Sequence, residues 1–157
     1  MRYAAMQEND YLNGEGICVS FWVQGCPHKC EGCHNPNQWD FNGGQPLPND
    51  IKGQIIKAIS ANGITRNFSV LGGEPLCAEN IELTHNIISA VRVAYPNIKI
   101  FLWTGYILEN IHHPLLIDIL DKIDVLIDGP YIASQRDITL KFRGSSNQRI
   151  LYKGIDF

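Results

Sequence analysis

The sequence predicts an α/β fold: an open partial (βα) barrel with parallel strands, in one domain spanning residues 1–157. Three observations predict it. Short β-branched and aromatic runs alternate with amphipathic helical stretches, the pattern of βαβ units that build a parallel sheet. A closed eight-stranded barrel typically needs about 250 residues, and this chain has 157, so the barrel must stay open. The segments richest in Cys, Gly and Pro directly follow strands, at the edge where such sheets hold ligands.

Residues 17–23, Ile-Cys-Val-Ser-Phe-Trp-Val after a Gly14-x-Gly16 turn signal, read as the first buried strand. Residues 24–49 shift to Gly, Pro, Asn and Cys with little periodicity, too long for an ordinary connection and therefore a cofactor loop. Asn49 or Asp50 can cap a helix with Ile51, Ile55, Ile56 and Ile59 on one face and Gly63 placed to end it. Residues 68–71 form the next strand. A second helix over 80–95 turns Leu83, Ile87, Ile88, Val91 and Ala94 inward until Pro96 stops it. Residues 98–103 follow as a strand, Pro114 opens a third helix carrying Leu116, Ile119 and Leu120, and 124–127 read as a fourth strand.

The composition narrows function. Thirteen Lys and Arg against sixteen Asp and Glu leave a formal charge of −3, which supplies no positive excess for a nucleic-acid backbone. No run approaches a membrane span, and the first eight residues lack the apolar core of a signal peptide. The expected location is the cytoplasm, where the five cysteines stay reduced.

Three of those cysteines, Cys26, Cys30 and Cys33, form a C-x3-C-x2-C cluster. Thiolates are soft ligands suited to iron–sulfur clusters or zinc. A structural zinc needs four ligands and a redox [4Fe-4S] cluster normally four cysteines, so three thiolates would leave one iron open to substrate. Two other readings stand beside this one: a zinc knuckle completed by His28 or His34, and a thioredoxin-like pair at Cys30 and Cys33. Gly72-Gly73-Glu74-Pro75 directly follows a strand, where two glycines allow close backbone approach to a ligand and Glu74 can accept from an ammonium or a hydroxyl. An ordinary glycine turn with a solvated Glu reads the same tetrapeptide without function.

Together these residues resemble the radical S-adenosylmethionine enzymes. The resemblance runs over nearly the whole chain and is nearest to the activating proteins of anaerobic ribonucleoside-triphosphate reductases. Asn13-Gly14-Glu15-Gly16, residues 25–33, Trp103-Thr104-Gly105-Tyr106, Asp128-Gly129 and residues 143–149 are similar to that group in order and spacing. The resemblance implies that Cys26, Cys30 and Cys33 hold a [4Fe-4S] cluster whose remaining iron is chelated by S-adenosyl-L-methionine. Gly72, Gly73 and Glu74 take the methionine moiety, and Gly32, Cys33 and His34 the adenine side. Glycine stands at 32 where the wider superfamily carries an aromatic residue, and Glu74 where the subgroup often has Asp. The implied activity is reductive cleavage of S-adenosylmethionine to methionine and a 5'-deoxyadenosyl radical, which takes hydrogen from a glycine of the reductase large chain. A reduced electron donor, such as a flavodoxin, is the second implied partner. Activation of another glycyl-radical enzyme, a small-molecule radical enzyme, an electron-transfer protein and a non-catalytic zinc-stabilised binding module are the rivals.

The remaining candidates read blandly. Cys18 and Cys77 suit packing. His28 reads as a loop or partner-facing residue, and His85, His112 and His113 have no evident carboxylate partner. Trp103 and Tyr106 suit either the core or the substrate opening.

Overall fold

The computed structural model describes residues Met1–Phe157. Its centre is a seven-stranded sheet: β1 (Arg2–Asp10), β2 (Cys18–Val23), β3 (Gln45–Pro46), β4 (Asn67–Gly72), β5 (Ile100–Trp103), β6 (Val125–Asp128) and β7 (Arg149–Tyr152), in the order β3-β1-β2-β4-β5-β6-β7. The expected strands β2, β4, β5 and β6 are parallel neighbours, with Val19 opposite Phe68, Phe68 opposite Ile100 and Phe101 opposite Val125. The sheet as a whole is mixed. The antiparallel strands β1 and β7 flank the parallel set, and β3 pairs with β1 from within the cofactor loop. These three escape a search for apolar runs because antiparallel strands at or next to a sheet edge carry polar, half-exposed residues: β1, flanked outside only by the two-residue β3, reads Arg-Tyr-Ala-Ala-Met-Gln-Glu-Asn-Asp.

Three helices connect the parallel strands: α1 (Ile51–Ile59), α2 (Ile81–Ala94) and α3 (Leu116–Lys122). Strand residues Val19, Phe21, Phe68, Val70, Ile100, Leu102 and Leu126 bury against Ile55 and Ile59 of α1, Ile87, Ile88 and Val91 of α2, and Ile119 of α3 in one core. Alternation along the strands sends Cys18, Ser20, Ser69 and Phe101 to the opposite face, where loops cover them. Ser69 Oγ donates to the Asn13 carbonyl (2.6 Å), and Phe142 packs edge-on against Phe101 with ring centres 5.8 Å apart. Asp50 occupies the N-cap of α1, but its carboxylate accepts from the Gln54 side chain (2.8 Å) rather than from the helix backbone. No helix is long and apolar enough to cross a membrane.

Candidate functional site

The turns leaving β2, β4, β5 and β6 meet at one edge of the sheet. Gly25, at φ +99°, turns the chain out of β2; a side chain there would lie 2.0 Å from a ring carbon of Phe41. Its N–H donates to the Gln38 carbonyl (2.9 Å) and that of Cys26 to the Trp39 carbonyl (3.2 Å), so the loop between closes on itself. Positive φ at Lys29 and Gly32 and a Cys33 N–H bond to the Cys30 carbonyl (3.1 Å) coil it further. The turn after β4 is laid directly on this loop. Gly73 N–H donates to Val23 (3.0 Å) and Glu74 N–H to Gly25 (2.8 Å), while a Cβ at Gly73 would come within 2.3 Å of the Gly25 carbonyl oxygen. Asn80, ahead of α2, fastens both: its amide donates to the carbonyls of Gln24, Gly25 and Glu74 at 3.0–3.2 Å.

Cys26, Cys30, Cys33, Gly72, Gly73 and Glu74 consequently line one cleft of about 600 Å3 including its mouth, walled by Trp39, Trp103 and Tyr131. Cys33, Gly72, Trp103 and Tyr131 also border a second cavity, which His34, Asn13 and Arg143 help to form. The His34 and Tyr131 rings pack tilted with centres 5.3 Å apart. Gly32 lines neither cavity; its missing Cβ faces Tyr131 and Ala133 at 3.4–3.5 Å.

The three thiols in the cleft are one donor short of the four that a closed zinc tetrahedron takes, and His28, which lines the same cleft, has its Nε2 bonded to Glu74. An iron–sulfur cluster takes one thiolate per iron, which suits three half-buried cysteines spread around a cleft. Burial pushes the Cys26 thiol up. Neither remaining cysteine lines the cleft: Cys18 is buried at the far end of β2, its thiol pushed up by burial to about 11. Cys77 is buried with its thiol donating to the Glu74 carbonyl (3.2 Å), and burial pushes it up to about 12. Three thiols, and no fourth, face the cleft.

Glu74 is fully buried, not a solvated turn residue. Oε1 accepts from the Leu76 N–H (2.9 Å) and the Thr104 hydroxyl (2.7 Å), and Oε2 from the Gly105 N–H (2.7 Å). Oε2 also bonds His28 Nε2 at 2.7 Å, so His28 turns inward, contrary to the expectation of a partner-facing residue. The reason is a contact distant in sequence: Gly105 leaves a hollow that the imidazole fills, and Tyr106 meets it edge-on with ring centres 4.4 Å apart. The sequence reads His28 as a zinc donor or a loop residue and gives no role to Thr104, Trp39 or Tyr131, which line the cleft; the signal available is a histidine between two cluster cysteines. His85 also departs from expectation, bonding Asp118 of α3.

A family model described as a 4Fe-4S single cluster domain matches residues 12–151. Curated relatives named anaerobic ribonucleoside-triphosphate reductase-activating protein align along almost the whole chain. That of Escherichia coli (strain K12) is 35% identical over 149 residues, covering 94% of this chain and 96% of the relative. Those of Haemophilus influenzae and Enterobacteria phage T4 are each 36% identical, over 151 and 152 residues, covering 96% of this chain and 97% and 93% of the relative. The chain belongs to this activating-protein family.

Residues 128–130 and 143–149, part of the stretch on which the resemblance rests, lie together. Gln148 accepts from Gly144 N–H (2.9 Å) and donates to the Gly129 carbonyl (3.0 Å), and Asn147 donates to the Pro130 carbonyl (2.7 Å). Arg149 donates two bonds to the buried Asp128 carboxylate (2.9 and 2.5 Å) and pairs with Glu109. The tail thereby closes onto the turn after β6 and carries Gln148 to the cleft wall.

Proposed function

We propose that the chain activates an anaerobic ribonucleoside-triphosphate reductase, generating a glycyl radical on the large chain through reductive cleavage of S-adenosyl-L-methionine at a [4Fe-4S] cluster. The observation that carries this reading is the cleft with three thiols, no fourth, and the Gly72-Gly73-Glu74 turn in the same wall. Cys26, Cys30 and Cys33 would hold the cluster and leave one iron free of protein thiolate. When bound, the cluster supplies one electron that splits the sulfonium carbon–sulfur bond into methionine and a 5'-deoxyadenosyl radical, which removes a hydrogen atom from glycine to give 5'-deoxyadenosine. The chain's own residues position and shelter these partners. Gly72 and Gly73, which line the cleft, suit the methionine moiety, with Glu74 behind them. Cys33 and His34 border the second cavity and, with Gly32 and the Tyr131 ring beside it, suit the adenine side. Trp39, Trp103 and Tyr131 wall the cleft with aromatic rings.

The same reading takes residues 1–157 as one domain of partial-barrel type working in the cytoplasm, with helices on one face of the sheet and the strand-end edge free for the reductase glycine. It takes its electron from a reduced donor of the flavodoxin kind. The test is to load the protein with iron and sulfide under anaerobic conditions, reduce it, and mix it with S-adenosylmethionine and the matching reductase. A glycyl radical doublet in the electron paramagnetic resonance spectrum is expected; a fully loaded, reduced protein that yields none refutes the assignment.

A further inference from the structure

We propose that His28 is a positioning residue: it clamps the cysteine loop to Glu74 and so fixes the spacing between the thiols and the Glu74 edge of the cleft. The functional part of the inference rests on the reading of this cleft as an S-adenosylmethionine site. An ionised carboxylate offers about four lone-pair positions, and Glu74 has four partners. Three come from segments outside the cysteine loop: the Leu76 and Gly105 N–H groups and the Thr104 hydroxyl. The fourth is His28 Nε2, carried by the loop itself.

His28 stands two residues from Cys26 and two from Cys30, so its bond ties the stretch of loop between those two thiols to Glu74. The seat selects imidazole in shape and in chemistry. At Gly105 a Cβ would come within 2.7 Å of the His28 ring, so only glycine leaves the space, and Tyr106 closes the ring's edge. The side chain is 18% exposed against a carboxylate that is 0% exposed. A hydrogen bond in such surroundings is not readily replaced by water, and leaving the carboxylate one donor short is costly.

Two substitutions separate the clamp from simple space filling. His28→Phe keeps a flat ring between Gly105 and Tyr106 but removes the donor. His28→Gln places an amide nitrogen at about the reach of Nε2 and restores it. Each protein, with all three cysteines intact, would be loaded anaerobically and read in two ways: the rate at which a chelator removes iron, and the S-adenosylmethionine concentration giving half of its effect on the reduced-cluster resonance spectrum.

His28→Phe is expected to lose iron at least threefold faster and to need about tenfold more S-adenosylmethionine. His28→Gln is expected to recover both readouts to within about threefold. A Phe variant that cannot retain the cluster, beside a Gln variant that can, supports the clamp equally. Wild-type behaviour of His28→Phe overturns it, and so does a Gln variant as impaired as the Phe variant. If the wild-type cluster itself ignores S-adenosylmethionine, the proposed function fails on its own, and iron release alone decides the clamp by the same comparison.

Discussion

Gly73 shows how much of the site depends on one missing atom. A methyl group there would sit 2.3 Å from the Gly25 carbonyl oxygen and 2.8 Å from its carbon, contacts that only a shift of backbone can relieve. Gly73→Ala is therefore expected to cost about 1–3 kcal/mol, the usual range for overpacking, by prising the β4 turn off the cysteine loop. Urea unfolding and iron content of the loaded protein would check it; an alanine variant with the wild-type midpoint and full iron would contradict the close-approach role. Glu74 makes a complementary point. Its two oxygens unite the cysteine loop, its own turn and the turn after β5 through four partners, which gives a buried carboxylate a structural task.

Among the elements, the join between β1 and β2 is the one most open to a test by pH. Asp10 ends β1, and its carboxylate accepts from Ser20 Oγ (2.6 Å), the Asn13 amide (2.7 Å) and the backbone N–H groups of Leu12 and Asn13. Burial pushes its carboxyl up, but the bonds from Ser20, Asn13 and Leu12 outweigh that and hold it below the ordinary carboxylate range. A depressed folded-state value means that the stabilisation is fully present above the unfolded value of about 3.9 and is lost as pH falls through the lower folded value. The stability difference between wild type and Asp10→Asn is accordingly expected to be about 1–3 kcal/mol near neutrality and to shrink steadily below about pH 4. Urea midpoints across that range measure it, and a difference independent of pH would contradict it. The parallel strands and three helices were legible in the sequence because apolar periodicity reports burial, and these elements are the buried ones. β1, β3 and β7 were not, since they are edge or near-edge strands specified by pairing with neighbours distant in sequence. The same division runs through the site: Cys26, Cys30, Cys33 and the Gly72-Gly73-Glu74 turn declare themselves by spacing and by following strands. The inward turn of His28 depends on a hollow at Gly105, 77 positions further along the chain, which no local pattern encodes.

Over the whole molecule, the fold separates support from chemistry. Three helices pack on one face of the sheet, and the turns from four successive parallel strands assemble the cleft at one edge. The C-terminal strand β7 closes the far side by antiparallel pairing with β6, and Arg149 bonds the buried Asp128 while Gln148 reaches the cleft wall. Cysteines 18 and 77 are kept out of that cleft, which leaves three thiols for a cluster that would otherwise close with four. The most direct measurement of this three-thiol claim is anaerobic reconstitution with iron and sulfide, reduction, and assay of methionine and 5'-deoxyadenosine formed from S-adenosylmethionine, beside a Cys30→Ala control. Equal amounts of both products from the wild type, and none from Cys30→Ala, are expected. A wild-type protein shown to carry a complete, reduced cluster that leaves S-adenosylmethionine intact would contradict it.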